Sequence, residues 1–254
     1  MYIQEKDEVF YCKWDIFKEV ENLIAVFSTR KGGHSEDYYY SLNLGLTTDD
    51  KKENVIKNRE KFFHTIDVPE SRIAKVNQVH KDEIIIVNIP GRLGNGDGLI
   101  TNINDIFLCG SFADCVSIVV IEQTKKAIGL FHVGWRNLAL DMPKKGIEKI
   151  CRTYDIKPCN LLVGIGPHIK RCCYVIQNDV AKYFDQKFLK KNGKECFNLD
   201  MESVIIEQLI NSDVKDENIE RSDFCTSCNK DLFFSHRRDK GKTGRMMAII
   251  GIKE

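Results

Sequence analysis

Apolar and polar positions fall into short runs of two periods along this chain. "VSIVVI" and "AIGLFHV" are continuous apolar runs on either side of the polar "EQTKK", and they predict two strands of a hairpin. "LIAVFSTR" predicts a strand entering a polar loop, and "RIAKVNQVH" begins as a strand and turns polar. "DEIIIV" is another short strand, "NLLVGIG" a buried strand ending at Pro167, and "MMAIIGI" a further strand. From residue 49 to 65 the period changes: Val55, Ile56, Phe62 and Phe63 recur with charges between them, as on one face of a helix. A second helix spans about 141–154, with Pro143 tolerated in its first turn. Helices are also expected around 180–189 and 201–209, the latter capped by Asp200. "IPGRLGNGDGLIT" is a Gly-rich turn region without the Lys-Ser/Thr ending of a nucleotide P-loop.

No repeat, linker or low-complexity block divides the sequence. Strands and helices alternate irregularly, which favours an α+β chain, a single-domain α/β sandwich with mixed sheets over residues 1–254, above a doubly wound sheet. At 43% apolar and 30% charged, the chain can bury a large core. The net charge of +1 gives no electrostatic case for nucleic acid or an anionic membrane. Its apolar runs fall well short of the ~20 residues a membrane helix needs. The start, "MYIQEKDEVFYCKWD", lacks the regions of a signal peptide, so a cytoplasmic location and reduced thiols are expected for the ten cysteines.

Chemistry enters at the far ends of the hairpin. If its strands pair about the turn, Cys115 at the start of one lies beside His132 at the end of the other. His80, closing "VNQVH", also stands where a strand ends. Hydrogen-bonded structural histidines and a buried thiol account for such residues one by one. Taken together, a soft thiolate and two imidazoles suit zinc, and three protein ligands leave a fourth position open. The gaps between the three match no short zinc signature, so chemistry rather than spacing carries this reading. Cys225 and Cys228 form a C-x-x-C pair, but the nearest other thiols, Cys172 and Cys173, adjoin each other; all four are read as structural or incidental.

"STRKGGHSEDYYYSLNLGLTTDD", "NRE", "NQVH", "DGLIT", "ADC", "HVGWR", "GIGPHIKRCCY" and "CTSCNKDLFFSHRRDKGKTGR" follow in order from about Ser28 to Ile250. Together they resemble the laccase-domain family, also called the polyphenol oxidase or purine nucleoside phosphorylase family. The resemblance implies an α/β sandwich similar to the toxin-deamidase-like cysteine hydrolase architecture. It implies a metal site, zinc with copper as the alternative, on the residues matching its "QVH", "ADC" and "HxGW" motifs: His80, Cys115 and His132, which are then also catalytic. It implies cleavage of purine nucleosides (adenosine, inosine or guanosine, with methylthioadenosine a further candidate) by phosphate, and adenosine deamination beside it. Purine nucleoside and phosphate are thus the expected partners, with no nucleic acid or membrane, in a monomer or small homo-oligomer. The chain departs from the family at Lys81, Asn137 and Val175; the first two are expected to alter the pocket rim, and Val175 removes an acidic side chain.

A phosphorylase must hold an anion, and guanidinium groups do so bidentately. Arg59 and Arg136 are the leading candidates with Asn43, and Arg30 and Arg245 are further ones; Arg59 also fits an exposed helical arginine. Asp114 is either a carboxylate facing the ligands or substrate or a cap at the strand edge. Trp135 is a core indole or a wall for a purine ring, the core reading favoured. Three rival functions remain. A copper oxidase needs more than the six histidines present if it is multicopper. A cysteine-dependent amidase editing peptidoglycan precursors would use Cys115 as nucleophile with His80 or His132 as base. A non-catalytic binding protein would take ligand without turnover.

Overall fold

The computed structural model describes residues 1–124 and 127–254. Among them, two large sheets lie face to face. The first runs in the order Tyr2–Lys6, Val9–Lys13, Leu23–Ser28, Met246–Ile252, Phe107–Phe112, Ile73–Asn77, Gly91–Asn95. The second runs Ile219–Glu220, Leu162–Ile165, Val116–Glu122, Ala127–Val133, Gly98–Thr101, Ile84–Ile86. Both are mixed, with parallel ladders at Ile73–Asn77 and between Ile84–Ile86 and Gly98–Thr101. A small sheet of Val175–Gln177, Cys196–Leu199 and Leu189–Lys191 lies beside them.

The strand period of two explains the layers. Val119 and Ile121 face the first sheet, where they pack with Leu108, Phe112, Ala248 and Ile250. Ile118 and Val120 face the other way, onto Ile147 and Ile150 of the helix Met142–Tyr154 and Ile205 of the helix Met201–Ile210. On the far side of the first sheet, Phe62 and Phe63 of the helix Lys52–Thr65 pack with Val26, Phe107 and Ile249. The result is a mixed α/β sandwich of four layers, helix, sheet, sheet, helices. Each fully buried side chain of this size contributes ~1.5–3 kcal/mol, so the core is ample for one domain.

The helix Met142–Tyr154 carries Pro143 in its first turn, and Asp200 accepts the Ser203 N–H at 3.1 Å, as expected. Two expectations fail. Residues 180–189 do not form one helix: Asn178–Ala181 is a single turn, and Asp185 then accepts the Lys187 N–H and starts a separate 3-10 turn, Gln186–Phe188. The Gly-rich region holds two strands, Gly91–Asn95 and Gly98–Thr101. Neither shows alternation, because the first is a largely exposed edge and the second is buried on both faces. Lys125 and Lys126 of the hairpin turn lie outside the described residues. Among those described, no helix is long and apolar enough to cross a membrane.

Candidate metal centre

In the hairpin Val116 pairs with Val133 and Ser117 with His132, so Cys115 stands beside the end of the second strand. His132 falls on the same strand face as Ile128 and Leu130, which are turned toward the first sheet, and its ring lies 5.5 Å from that of Phe112. His80 arrives in the loop that follows Ile73–Asn77. Its ring meets His132 edge to face at 4.8 Å between centroids, and its Nε2 lies 3.8 Å from Cys115 Sγ. One donor atom from each of the three lies within 4.8 Å of the others. The backbone is left-handed at His80 (φ 58°) and at Asp114 (φ 89°), a conformation non-glycine residues adopt at a cost and that clusters at functional sites.

Asp97, in the Gly-rich stretch whose sequence predicts a turn, organises the triad. Its Oδ1 accepts from His132 Nδ1 at 2.7 Å, and its main-chain carbonyl accepts the His132 N–H at 2.7 Å. Its Oδ2 accepts the N–H groups of Val79 and Lys81, on either side of His80, at 3.1 and 2.8 Å. One buried residue thus fixes two of the three candidate ligands, and with Nδ1 engaged it leaves Nε2 as the ring nitrogen of His132 that can serve as a donor. The available signal was an aspartate immediately before an apolar strand in "DGLIT". Asn137 is a second brace. Its amide donates to the carbonyl of His132 and its Oδ1 accepts the Gly134 N–H at 2.8 Å, so it is buried behind the site rather than on the rim. A Cβ on Gly134 would come 3.0 Å from His80 Cδ2 and 3.2 Å from Cys115 Sγ.

Burial pushes the Cys115 thiol up, but His132 and His80 outweigh it and bring it down to about 6. Burial pushes His132 down, yet Cys115 and Asp97 carry it up to about 9. For Asp97, burial raises the carboxyl, while His132 and the donated N–H groups hold it below the ordinary range. Without an ion the pair is a thiolate beside an imidazolium. A divalent cation in place of that proton satisfies the same charges, and a thiolate with two imidazoles is a donor set that fits zinc.

These residues open onto a cavity of about 650 Å³, with Lys75, Arg59 and Arg245 also in its walls. Burial and the neighbouring Arg59 hold Lys75 below its ordinary range, so an anion here would relieve crowded positive charge. Arg59 is buried rather than exposed. Its Nε and Nη2 both donate to Glu70 and its Nη1 to the Leu44 carbonyl at 3.1 Å, so the fork is largely engaged within the protein. Asn43 stands behind the wall: it donates to Thr48 and Asp50 and accepts the N–H groups of Gly45 and Arg245. Asp114 lines the cavity, accepting from Thr226 Oγ1 and from the Arg237 N–H, each at 2.6 Å. Arg136 is exposed at the cavity, its guanidinium 4.5 Å from the Trp135 ring, and Trp135 is half-buried, packed against the core while also lining the cavity. Arg30 is spent on the carbonyls of Tyr40 and Lys230. The carbonyl of Val175 accepts from Arg237.

The four remaining cysteines of interest also converge. Sγ atoms of Cys172, Cys173, Cys225 and Cys228 lie within 4.8 Å of one another. Adjacent cysteines point apart in a strand, but these two sit in the turn at 171–173, which brings their Sγ atoms 3.7 Å apart.

Residues 24–253 match the family model described as Multi-copper polyphenol oxidoreductase laccase. Purine nucleoside phosphorylase YlmD of Bacillus subtilis is 31% identical over 251 residues, covering 92% of this chain and 90% of that protein. Its namesake from Geobacillus stearothermophilus is 33% identical over 249 residues, covering 91% and 90%. The crystal structure of YlmD from Geobacillus stearothermophilus superposes with a TM-score of 0.92 at 31% identity, covering 99% of this chain and 98% of that one.

Proposed function

We propose that this chain, which belongs to the multi-copper polyphenol oxidoreductase laccase family, cleaves purine nucleosides with phosphate at the cavity bounded by His80, Cys115 and His132. The observation that carries the reading is that one cavity holds both a thiolate–imidazole donor set and a wall of cations. The names of the relatives point the same way. His80, Cys115 and His132 would hold zinc, with copper the alternative ion. When bound, zinc supplies Lewis-acid chemistry at that end of the cavity.

The chain's own residues do the rest. Lys75 and Arg245 attract phosphate, while Arg59, braced by Glu70, adds a fixed positive field more than a free fork. Arg136 extends that field at the mouth, and Asn43 positions Arg245 through its main chain. Trp135 and Tyr174 offer flat faces to the purine ring. Asp114 ties the turn before Cys115 to Thr226 and Arg237, fixing the cavity wall against the donor set. In phosphorolysis a phosphate oxygen bonds to the anomeric carbon as the bond from that carbon to the base breaks, and the departing base takes up a proton. The substrates are adenosine, inosine or guanosine, with methylthioadenosine a further candidate, and adenosine deamination is a side activity. None of the ten cysteines is joined in a disulfide, which suits the cytoplasm, and the protein works as a monomer or small homo-oligomer.

A second reading rests on the same geometry. Cys115, His132 and Asp97 form a thiolate, an imidazolium and an orienting carboxylate, the set a cysteine amidase uses. The likeness to the toxin-deamidase-like cysteine hydrolase architecture belongs with this reading. One experiment separates the two: incubate the pure protein with adenosine, with and without phosphate, and resolve the products. Adenine and ribose 1-phosphate formed only with phosphate support phosphorolysis, and inosine without phosphate marks deamination. No turnover of any purine nucleoside, together with amide hydrolysis by chelator-treated protein, would replace the phosphorylase with the amidase.

A further inference from the structure

We propose that Cys172, Cys173, Cys225 and Cys228 form a second metal site, a four-thiolate zinc site that fastens two segments of the cavity wall together. It is separate from the donor set at His80, Cys115 and His132 and does not depend on the activity assigned there.

The distances fit the ion. Zinc–sulfur bonds of ~2.3 Å in a tetrahedron place the sulfurs roughly 3.8 Å apart. Cys172 Sγ lies 3.6 Å from Cys228 Sγ and 3.7 Å from Cys173 Sγ, and Cys173 Sγ lies 3.3 Å from Cys228 Sγ. Cys225, the buried member, completes a set whose donors are all within 4.8 Å. Four thiols converging this way select zinc or iron over hard cations, and zinc binds them without redox chemistry. Main-chain donors support the charged form: the Lys170 N–H reaches Cys225 Sγ at 3.4 Å. Burial pushes the Cys225 thiol up, but N–H groups of Lys170 and Cys228 and the neighbouring thiols bring it below its ordinary value. Burial carries Cys172 up to about 11, and the hydrogen bonds with Cys173 and Cys172 raise Cys228, so without an ion the negative charge gathers on Cys225.

Its position gives the site a purpose. Cys172 and Cys173 immediately precede Tyr174, whose ring lines the cavity. Cys225 and Cys228 enclose Thr226, whose hydroxyl donates to Asp114 beside Cys115. Apart from the thiols, the two segments are joined by a short bridge between His168 and Cys225, so a four-coordinate ion adds a strong link where the ladder is minimal.

The test is metal content by mass spectrometry, on full-length protein purified anaerobically from zinc-supplied cells. The Cys225→Ser/Cys228→Ser variant should carry about one zinc fewer per chain than wild type. The Cys115→Ala variant should lose a different zinc, and retention there alone would fault the triad and not this cluster. Should the double variant fail to fold, Cys115→Ala protein reconstituted with cobalt serves instead. It should show thiolate-to-cobalt charge transfer with the intensity of four thiolates, and cobalt binding should protect Cys172, Cys173, Cys225 and Cys228 from alkylation. Unchanged zinc in the double variant, absence of the cobalt band, iron in place of zinc, or a disulfide among these cysteines in anaerobic protein would each overturn the proposal.

Discussion

Asp97 holds His132 at 2.7 Å through Nδ1, and the same carboxylate grips the backbone on both sides of His80. A single residue therefore sets the tautomer of one candidate ligand and the loop position of another. Asp97→Asn preserves shape and removes the charge that favours this arrangement. Zinc affinity should fall ~10–100-fold, as for other orienting partners of metal-bound histidines. Competition against a chromophoric chelator measures it; unchanged affinity would mean that Asp97 serves only the fold.

Gly134 is where the site has no spare room. A methyl group there meets the His80 ring at 3.0 Å and Cys115 Sγ at 3.2 Å. Gly134→Ala should weaken metal binding strongly while changing folding stability by only about 1–3 kcal/mol, the usual cost of overpacking. Calorimetry of zinc binding beside urea unfolding of the metal-free chain separates the two effects. Intact affinity would show that the rings can move aside.

The thiolate–imidazolium pair gives the metal-free protein a pH signature. Cys115 ionises above about 6 and His132 keeps its proton to about 9, so the reactive pair exists between those values. Alkylation of Cys115 should rise through pH 6, stay level to pH 9, and be blocked by added zinc. His132→Gln removes the cation and leaves burial to push the thiol up, which shifts the rise to alkaline pH. A wild-type profile rising only near the ordinary cysteine value would refute the pairing.

Lys75 and Arg59 make a paired prediction about phosphate. Lys75→Met should raise the KM for phosphate about tenfold or more, the scale of one lost charge-assisted hydrogen bond, with nucleoside affinity little changed. Arg59→Lys breaks the double contact to Glu70 and the bond to the Leu44 carbonyl, so it should lower stability by about 1–3 kcal/mol. Phosphate titrations and thermal melts on both variants decide. An equal loss of nucleoside and phosphate affinity in Lys75→Met would place that lysine elsewhere in the reaction.

Much of this was legible because strand period and residue type act locally. The hairpin follows from two apolar runs and a polar turn, and its pairing alone sets Cys115 beside His132. Asp97 was hidden because nothing local marks it: its partners are residues 79, 81 and 132, and only sheet assembly brings them to it. The burial of Arg59 was hidden for a related reason. Its place on a charged helix allows a solvent-exposed arginine, but the helix buries that face, where Glu70 meets it at the cavity wall. The adjacent cysteines 172 and 173 were set aside by a rule of spacing that a tight turn does not obey.

Met246–Ile252 occupies the middle of the first sheet, between Leu23–Ser28 and Phe107–Phe112. Until that strand is inserted, the neighbours on either side are two unjoined ribbons with open edges. The loop carrying His80 and the turn carrying Cys115 both belong to the ribbon at Phe107–Phe112, and Arg245 is the residue just before the inserted strand. A chain stopped short of residue 246 thus has neither a closed sheet nor a complete cavity. Both the sheet and the cavity wall hang on one central strand, and a substitution that loosens it is felt at His80 and Cys115 as well as in the core.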